Sequence, residues 1–292
     1  MQPLLASSSL RVDVGGTSTV DGLSLATSGD RVLVLGAARA LFEAAAGARA
    51  IARGELRVAD RSPLEAIRAG VVAGAPLDPP LPSSWTVREY VVWSARLAGH
   101  PAGTARALGD ESIERMKLTS LSKTKLGGAA PAARRGAVIA AALATGAPVL
   151  LIEDPIAALP SDAARSFARI VVRALPDRRT VVFAPRVALD SPIALAADEA
   201  IVVDGSRVAA QGAPAEIAAG ESAFVLRLGG DARAFVSAAE AQGARLLVPG
   251  DDPRRDGVTI DLGGLRALDL LRIAASSNAV VLELRPLART FA

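Results

Sequence analysis

The first third of the chain alternates short apolar runs with turns marked by glycine. The stretches "SLRVDV", "TVDGLSLA" and "DRVLVLG" predict strands, separated by turn residues at Gly15-Gly16 and Ser28-Gly29-Asp30. Residues 9–35 therefore read as a short antiparallel β region, and "GELRVAD" (54–60) as a further strand. The run Arg31–Leu35 is of the fully buried type. It enters Gly36, after which an alanine-rich stretch with helical character closes on Gly47.

From Asp78 to Ala130 the pattern changes. A proline-rich loop, "PLDPPLPSSW", precedes "TVREYVVWSARLAG", where Thr86 is placed to cap a helix and Glu89 follows three positions later, a capping-box spacing. After Ala133, strands and helices alternate, with "PVLLIED" (148–154), "RTVVFAP" (179–185) and "EAIVVDG" (199–205) as continuous apolar strands. Such strands separated by helices indicate a parallel sheet covered on both faces. "AAGES" (218–222) is a seam, and beyond it the order is strand, helix, strand, strand, helix, strand. That βαββαβ order is the ferredoxin-like plan. The expected division is residues 1–219, with a helical subdomain at about 78–130, and residues 220–292.

Composition narrows the chemistry. Of 292 residues 51% are hydrophobic but only 3% aromatic, so Ala, Val and Leu must do most of the packing. The formal net charge is +3, and the only lysines are Lys117, Lys123 and Lys125. Arginine doublets (Arg134-Arg135, Arg178-Arg179, Arg254-Arg255) are scattered and not interleaved with aromatics, so a nucleic-acid partner is not expected. With no cysteine the chain has neither disulfides nor thiolate metal sites, which suits a reducing compartment. The start lacks a basic n-region, and the uncharged run Gly136–Ile152 is broken by Gly146 and Pro148. It falls short of the roughly 20 residues of a membrane span. A cytoplasmic protein is expected.

"RVLVLGAARALFEAAAG" (31–47) has the outline of a phosphate-binding strand, turn and helix. With "VDGLSLATSGDRVLVLG", "GELRVAD", "WTVREYVVWSARLAG", "ARRGAVIAAALATGAPVLLIEDPIAAL" and "ADEAIVVDGSRVAAQGAPAEI", the chain resembles the ATP-binding cassette (ABC) transporter ATPase subunits, landmark by landmark. Its tail, "VVLELRPLARTF", resembles the small C-terminal domain of cassettes from one exporter class. The resemblance implies a P-loop NTPase-like α/β fold: an antiparallel β region, a RecA-like parallel core and a helical subdomain, followed by the ferredoxin-like α+β domain.

The residues that the family uses for chemistry are altered. A phosphate loop cradles phosphates with backbone N–H groups, neutralises them with lysine and ligates Mg²⁺ through a hydroxyl. Aligned without a gap from Gly36, its second glycine falls on Leu41, its lysine on Phe42 and its hydroxyl residue on Glu43; anchored on Gly47 instead, the loop is about four residues shorter. Arg39 is the one candidate substitute cation, with Glu43 beside it. The Walker B strand ends Glu153-Asp154 with its carboxylates exchanged, so the metal-side aspartate falls on Glu153 and the water-positioning glutamate on Asp154. They read as solvated acids at a strand end. The signature Ser-Gly-Gly falls on Ala130, Pro131 and Ala132, and Pro131 lacks an N–H donor. "LGG" at 126–128 is either a shifted signature or, on our reading, an ordinary turn. The switch histidine falls on Arg186 or Pro185, while His100, the only histidine, lies in the loop-like "AGHPAG". The Q-loop glutamine is missing, Pro160 replaces the D-loop aspartate, and no aromatic precedes Phe42 to stack on adenine.

The resemblance therefore implies a pseudo-ATPase: an assembly or regulatory subunit of a membrane exporter, peripheral on the inner face of the cytoplasmic membrane, with no cofactor. Its partners would be a multi-span permease and either an active ATP-binding subunit or a second copy of itself. Trp85, Arg88, Glu89 and Tyr90 are the candidate contacts to the membrane subunit. The alternative is an atypical working ATPase, with Arg39 acting for lysine and Glu153 and Asp154 holding Mg²⁺ beside ATP. A second alternative is a cytoplasmic adaptor that reuses the fold.

Overall fold

The computed structural model describes residues 2–175, 177–185, 187–188, 191–204, 206–214, 217, 223–248, 257–263, 265 and 267–286. The chain forms two compact units that divide after Pro214. The expected seam at 219/220 lies outside the described residues.

In the first unit β1 (Leu5–Val14) and β2 (Thr17–Ala26) form an antiparallel hairpin. Its turn is Gly15-Gly16, both at positive φ (58° and 81°), the conformation that matches the twist of a two-residue hairpin. β3 (Arg31–Leu35) does not belong to this sheet, contrary to the expectation of one antiparallel region over 9–35. β4 (Arg53–Val58) takes the third place instead, in the order β2-β1-β4. Val32 to Leu35 are all buried, and a run apolar on both faces is stable only inside a sheet covered twice.

That second sheet contains β5 (Val72–Ala75), β6 (Val149–Glu153), β7 (Arg179–Ala184), β8 (Glu199–Asp204) and β9 (Arg207–Gly212). Its order is β5-β6-β7-β3-β8-β9, parallel except for β9 against β8. β5 and β9 escape the sequence pattern because "VAGA" is too short and "RVAAQG" too weakly apolar to stand out.

Helix α1 (Ala38–Ala45) lies between the two sheets. Its Phe42 meets Phe183 of β7 edge-on, with ring centroids 5.9 Å apart. α2 (Pro63–Arg68) starts at a Ser62/Glu65 capping box. α3 (Val87–Leu97) starts at the expected box, where the Glu89 carboxylate accepts from the Thr86 N–H at 2.7 Å and Thr86 Oγ1 accepts from the Glu89 N–H at 3.2 Å. α4 (Ala102–Arg115) crosses α3 closely: a Cβ on Gly109 would lie 2.7 Å from Val92. α5 (Pro131–Ala144) packs on both, so the helical layer reaches Ala144 rather than ending near 130. α6 (Ser161–Ala174) and the short α7 (Pro192–Ala196) complete the unit. Among the described residues no helix is long and apolar enough to cross a membrane.

The second unit runs β10 (Ala223–Gly230), α8 (Ala232–Ala241), β11 (Arg245–Val248), β12 (Val258–Asp261), α9 (Ala267–Ser276) and β13 (Ala279–Pro286). The sheet is antiparallel in the order β11-β12-β10-β13, the ferredoxin-like arrangement. Leu226, Leu228, Phe235, Ile260, Leu270 and Ile273 form its core.

Candidate functional site

In a doubly wound sheet, ligands bind beyond the carboxyl ends of the strands. Here those ends bring together Gly36, Arg39, Glu43, Glu153, Asp154 and Arg135. The link from β3 to α1 is only Gly36-Ala37. Gly36 adopts φ +103°, and a Cβ there would lie 1.9 Å from the carbonyl oxygen of Val203. The glycine is thus required by the close approach of β8. Within the turn, Ala38 N–H donates back to Gly36 O at 2.6 Å, and Leu41 N–H to Ala37 O at 3.2 Å. Two residues cannot present the run of outward N–H groups that cradles a phosphate.

The link is as short as the alignment anchored on Gly47 makes it. Leu41 and Phe42 are not on a loop; they sit inside α1, 1% and 3% exposed, in the core. Arg39 is 79% exposed along its side chain, yet its Nε bonds Glu43 at 3.0 Å and lies 4.0 Å from Glu153 Oε1. Glu43 also accepts from Arg49 Nε at 2.6 Å. Burial pushes the Glu43 carboxyl up, but its bonds to Arg39 and Arg49 outweigh this and hold it below the ordinary value.

Glu153 and Asp154 are not solvated acids. They are 7% and 9% exposed, because β6 is flanked by β5 and β7 and the segment at Leu77 folds over its end. Glu153 Oε2 accepts from the Leu77 backbone N–H at 2.9 Å. Asp154, at φ +31°, donates its N–H to Phe183 O at 2.7 Å. Burial raises its carboxyl above the ordinary value, while Arg135 and the N–H groups of Ile156 and Ala157 partly offset the rise. Arg135 of α5 donates through one Nη to Ala157 O at 2.6 Å. Burial lowers the Arg135 guanidinium, against the pull of Asp154 and Asp78. Among the described residues no group of three or more His, Cys, Asp or Glu is arranged to hold a metal ion.

Ala130 is the N-cap of α5, with no side-chain bond; Pro131 occupies its first turn and Ala132 follows. "LGG" forms a 3-10 turn in which Leu126 and Gly127 donate to Trp85 O and Ser83 O; Leu126 is buried, while Gly127 and Gly128 are exposed. Arg186 lies outside the described residues. One His100 ring nitrogen lies 2.8 Å from Thr145 O, beside the turn at Gly146.

The four candidate contact residues differ in availability. Glu89 is used in the cap, and Arg88 is held by Asp110 of α4 at 2.7 and 2.8 Å. Tyr90 is half-buried, and burial raises its hydroxyl above the ordinary value. Trp85 stands edge-on to Trp93 with centroids 6.0 Å apart. Both line a groove of about 530 Å³ with Arg88, Glu89, Arg106 and Lys123. Trp93, Arg106 and Lys123 carry no motif; a tryptophan on the polar side of an amphipathic helix is the one signal that marks them.

No protein-family model and no curated protein matches the chain. Solved structures do. CbiO1 from Clostridium perfringens, part of the ABC transporter complex CbiONQ, is similar with a TM-score of 0.64 and 20% identity over 75% of this chain and 92% of that one. MJ1267, an ATP-binding cassette of an ABC transporter, is similar with a TM-score of 0.62 and 16% identity over 74% and 94%. An ATP-binding subunit of an ABC transporter is similar with a TM-score of 0.60 and 14% identity over 73% and 91%. At such identities the likeness speaks for architecture alone. The chain has the fold of the ATP-binding cassettes of ABC transporters.

Proposed function

We propose that the protein is a non-catalytic cassette, an assembly or regulatory subunit of a membrane exporter complex at the inner face of the cytoplasmic membrane. One observation carries this reading: the turn after β3 is two residues long, and the cation beside it, Arg39, is bonded to Glu43. Phosphoryl transfer depends on positioning and on neutralising the transferred charge. The residues at this sheet edge do not fit a magnesium triphosphate. The cradle is missing, Glu153 is committed to Leu77, and the first turn of α5 begins with proline. The similar CbiO1 belongs to a transporter complex, which supports a multi-span permease as the partner. An active ATP-binding subunit or a second copy would complete the assembly through contacts that do not depend on nucleotide.

Calorimetry with ATP and Mg²⁺ tests this. No binding heat is expected at millimolar nucleotide, and sedimentation is expected to be the same with and without it. Micromolar binding abolished by Asp154→Asn would instead favour a working ATPase, with Arg39, Glu153 and Asp154 in the catalytic roles.

A further inference from the structure

A small recess lies between the proline-rich loop and the first turns of α5, with a volume of about 60 Å³. Leu81, Pro131 and Val138 form its apolar wall, and Asp78, Arg134 and Arg135 bring charge to it. The side chains of Asp78 and Arg134 are exposed and make no hydrogen bond or ion pair among the described residues. Arg135 is anchored through one Nη to Ala157 O at 2.6 Å, while its Nε is buried with no acceptor among the described residues. A buried donor left unmade is costly, and its field stays unscreened by water. On the loop side, Glu153 fixes the Leu77 N–H at 2.9 Å. Both walls are therefore tied to the end of β6, and little order has to be gained on binding. An apolar recess with a few convergent charges is the ordinary form of a small-molecule site.

We propose that this recess binds a small zwitterion, an α-amino acid of the size of glycine or alanine. The carboxylate pairs with Arg134 in the field of Arg135, the ammonium group pairs with Asp78, and the carbon skeleton lies against Leu81, Pro131 and Val138. Size supports this class: at roughly 10–15 Å³ for each water-sized group, the recess has room for about five non-hydrogen atoms. Charge supports it too. A phosphate or a dicarboxylate would meet the Asp78 carboxylate, and Pro131 offers it no N–H. A simple amine would face two arginines. Only a ligand carrying both signs satisfies both ends of the recess. The proposal goes beyond the non-catalytic reading and requires neither nucleotide nor a partner subunit.

Titration calorimetry of the full chain, without nucleotide, tests this with glycine, alanine, phenylalanine, acetate, methylamine and inorganic phosphate as probes. Glycine or alanine is expected to bind at least about tenfold more tightly than acetate or methylamine, each of which keeps only one of the two charge-assisted bonds. Phenylalanine is expected to bind more weakly than alanine, because its ring exceeds the recess. Arg134→Gln and Asp78→Asn should each weaken alanine by about tenfold or more. Asp78→Asn should also erase the advantage of alanine over acetate. Both side chains are exposed, so the unfolding temperature of the variants should match the parent. No heat from glycine or alanine at millimolar concentration would overturn the proposal. So would acetate or phosphate binding as tightly as alanine, or variants that bind alanine as the parent does. None of these readouts involves ATP, so failure here strikes only the amino-acid site, and failure of the nucleotide experiment only the non-catalytic reading.

Discussion

The Glu153 carboxylate holds the backbone N–H of Leu77 at 2.9 Å, tying the end of β6 to the segment that leads into the helical layer. Arg135 makes a second tie from the other side, through Pro155 O and Ala157 O. Glu153 thus acts as a structural clamp at the end of β6. Glu153→Ala should therefore cost about 1–3 kcal/mol of stability, the usual penalty for a buried donor left unmade. It should also speed exchange of the Leu77 amide, measured by hydrogen–deuterium exchange. An unchanged exchange rate would remove the clamp.

Gly36→Ala separates a packing glycine from a phosphate-loop glycine. The added methyl group meets Val203 O at 1.9 Å and the backbone is at φ +103°, so β8 must move. A loss of about 3 kcal/mol or more is expected in denaturant unfolding, because positive-φ strain and a steric clash add. A variant as stable as the parent would place the glycine in a solvent-facing loop.

Restoring a lysine at Phe42 should not restore nucleotide binding. Phe42 is 3% exposed and packs on Phe183, so Phe42→Lys buries an unpaired charge and removes a core aromatic. Phe42→Leu is expected to fold with a loss of about 1–3 kcal/mol, whereas the lysine variant should fail to fold. A folded lysine variant that binds ATP would revive the ungapped alignment.

Acid sensitivity should come from the opposite end of the sheet. Glu199 accepts from Ser28 N–H at 2.7 Å, Gly29 N–H at 2.9 Å and Gln211 at 2.7 Å. Burial pushes its carboxyl up, but these bonds prevail and hold it below the ordinary 4.5. Because the folded value is depressed, its stabilisation is complete above 4.5 and disappears as the pH falls through that lower folded value. Asp154 has the opposite sign. Its folded value is raised above 3.8, so its charge costs stability at neutral pH, and that cost fades as the pH falls toward 3.8. In unfolding scans between roughly pH 3 and 8, Glu199→Gln should lower stability at neutral pH and flatten the acid limb. Asp154→Asn should raise stability at neutral pH. The reverse order would exchange the two assignments.

Much of the architecture was legible from local pattern. The Thr86–Glu89 cap, the Gly15-Gly16 hairpin, the apolar strands at 149–153, 179–184 and 199–204, and the βαββαβ tail depend on residues near one another in sequence. Periodicity and capping chemistry encode such features directly. The strand at 31–35 was visible as a strand but not as a member of the parallel sheet, since its partners, β7 and β8, lie more than a hundred residues away.

What the sequence by itself determined was most of the elements that form, because their local pattern is apolar and periodic; β5 and β9 are the exceptions. Only the tertiary structure decided how Gly36, Glu153 and Asp154 are packed. Whether α1 begins at Ala38 or after a longer loop is set by how β8 packs against Gly36. Whether Glu153 and Asp154 are wet or buried is set by Leu77 and Arg135 folding over the strand end. Trp93, Arg106 and Lys123 meet in one groove only because α3, α4 and the segment after Leu121 converge there. Burial and charge pairing are sums over neighbours in space, and linear order carries those neighbours only where chain contacts are local.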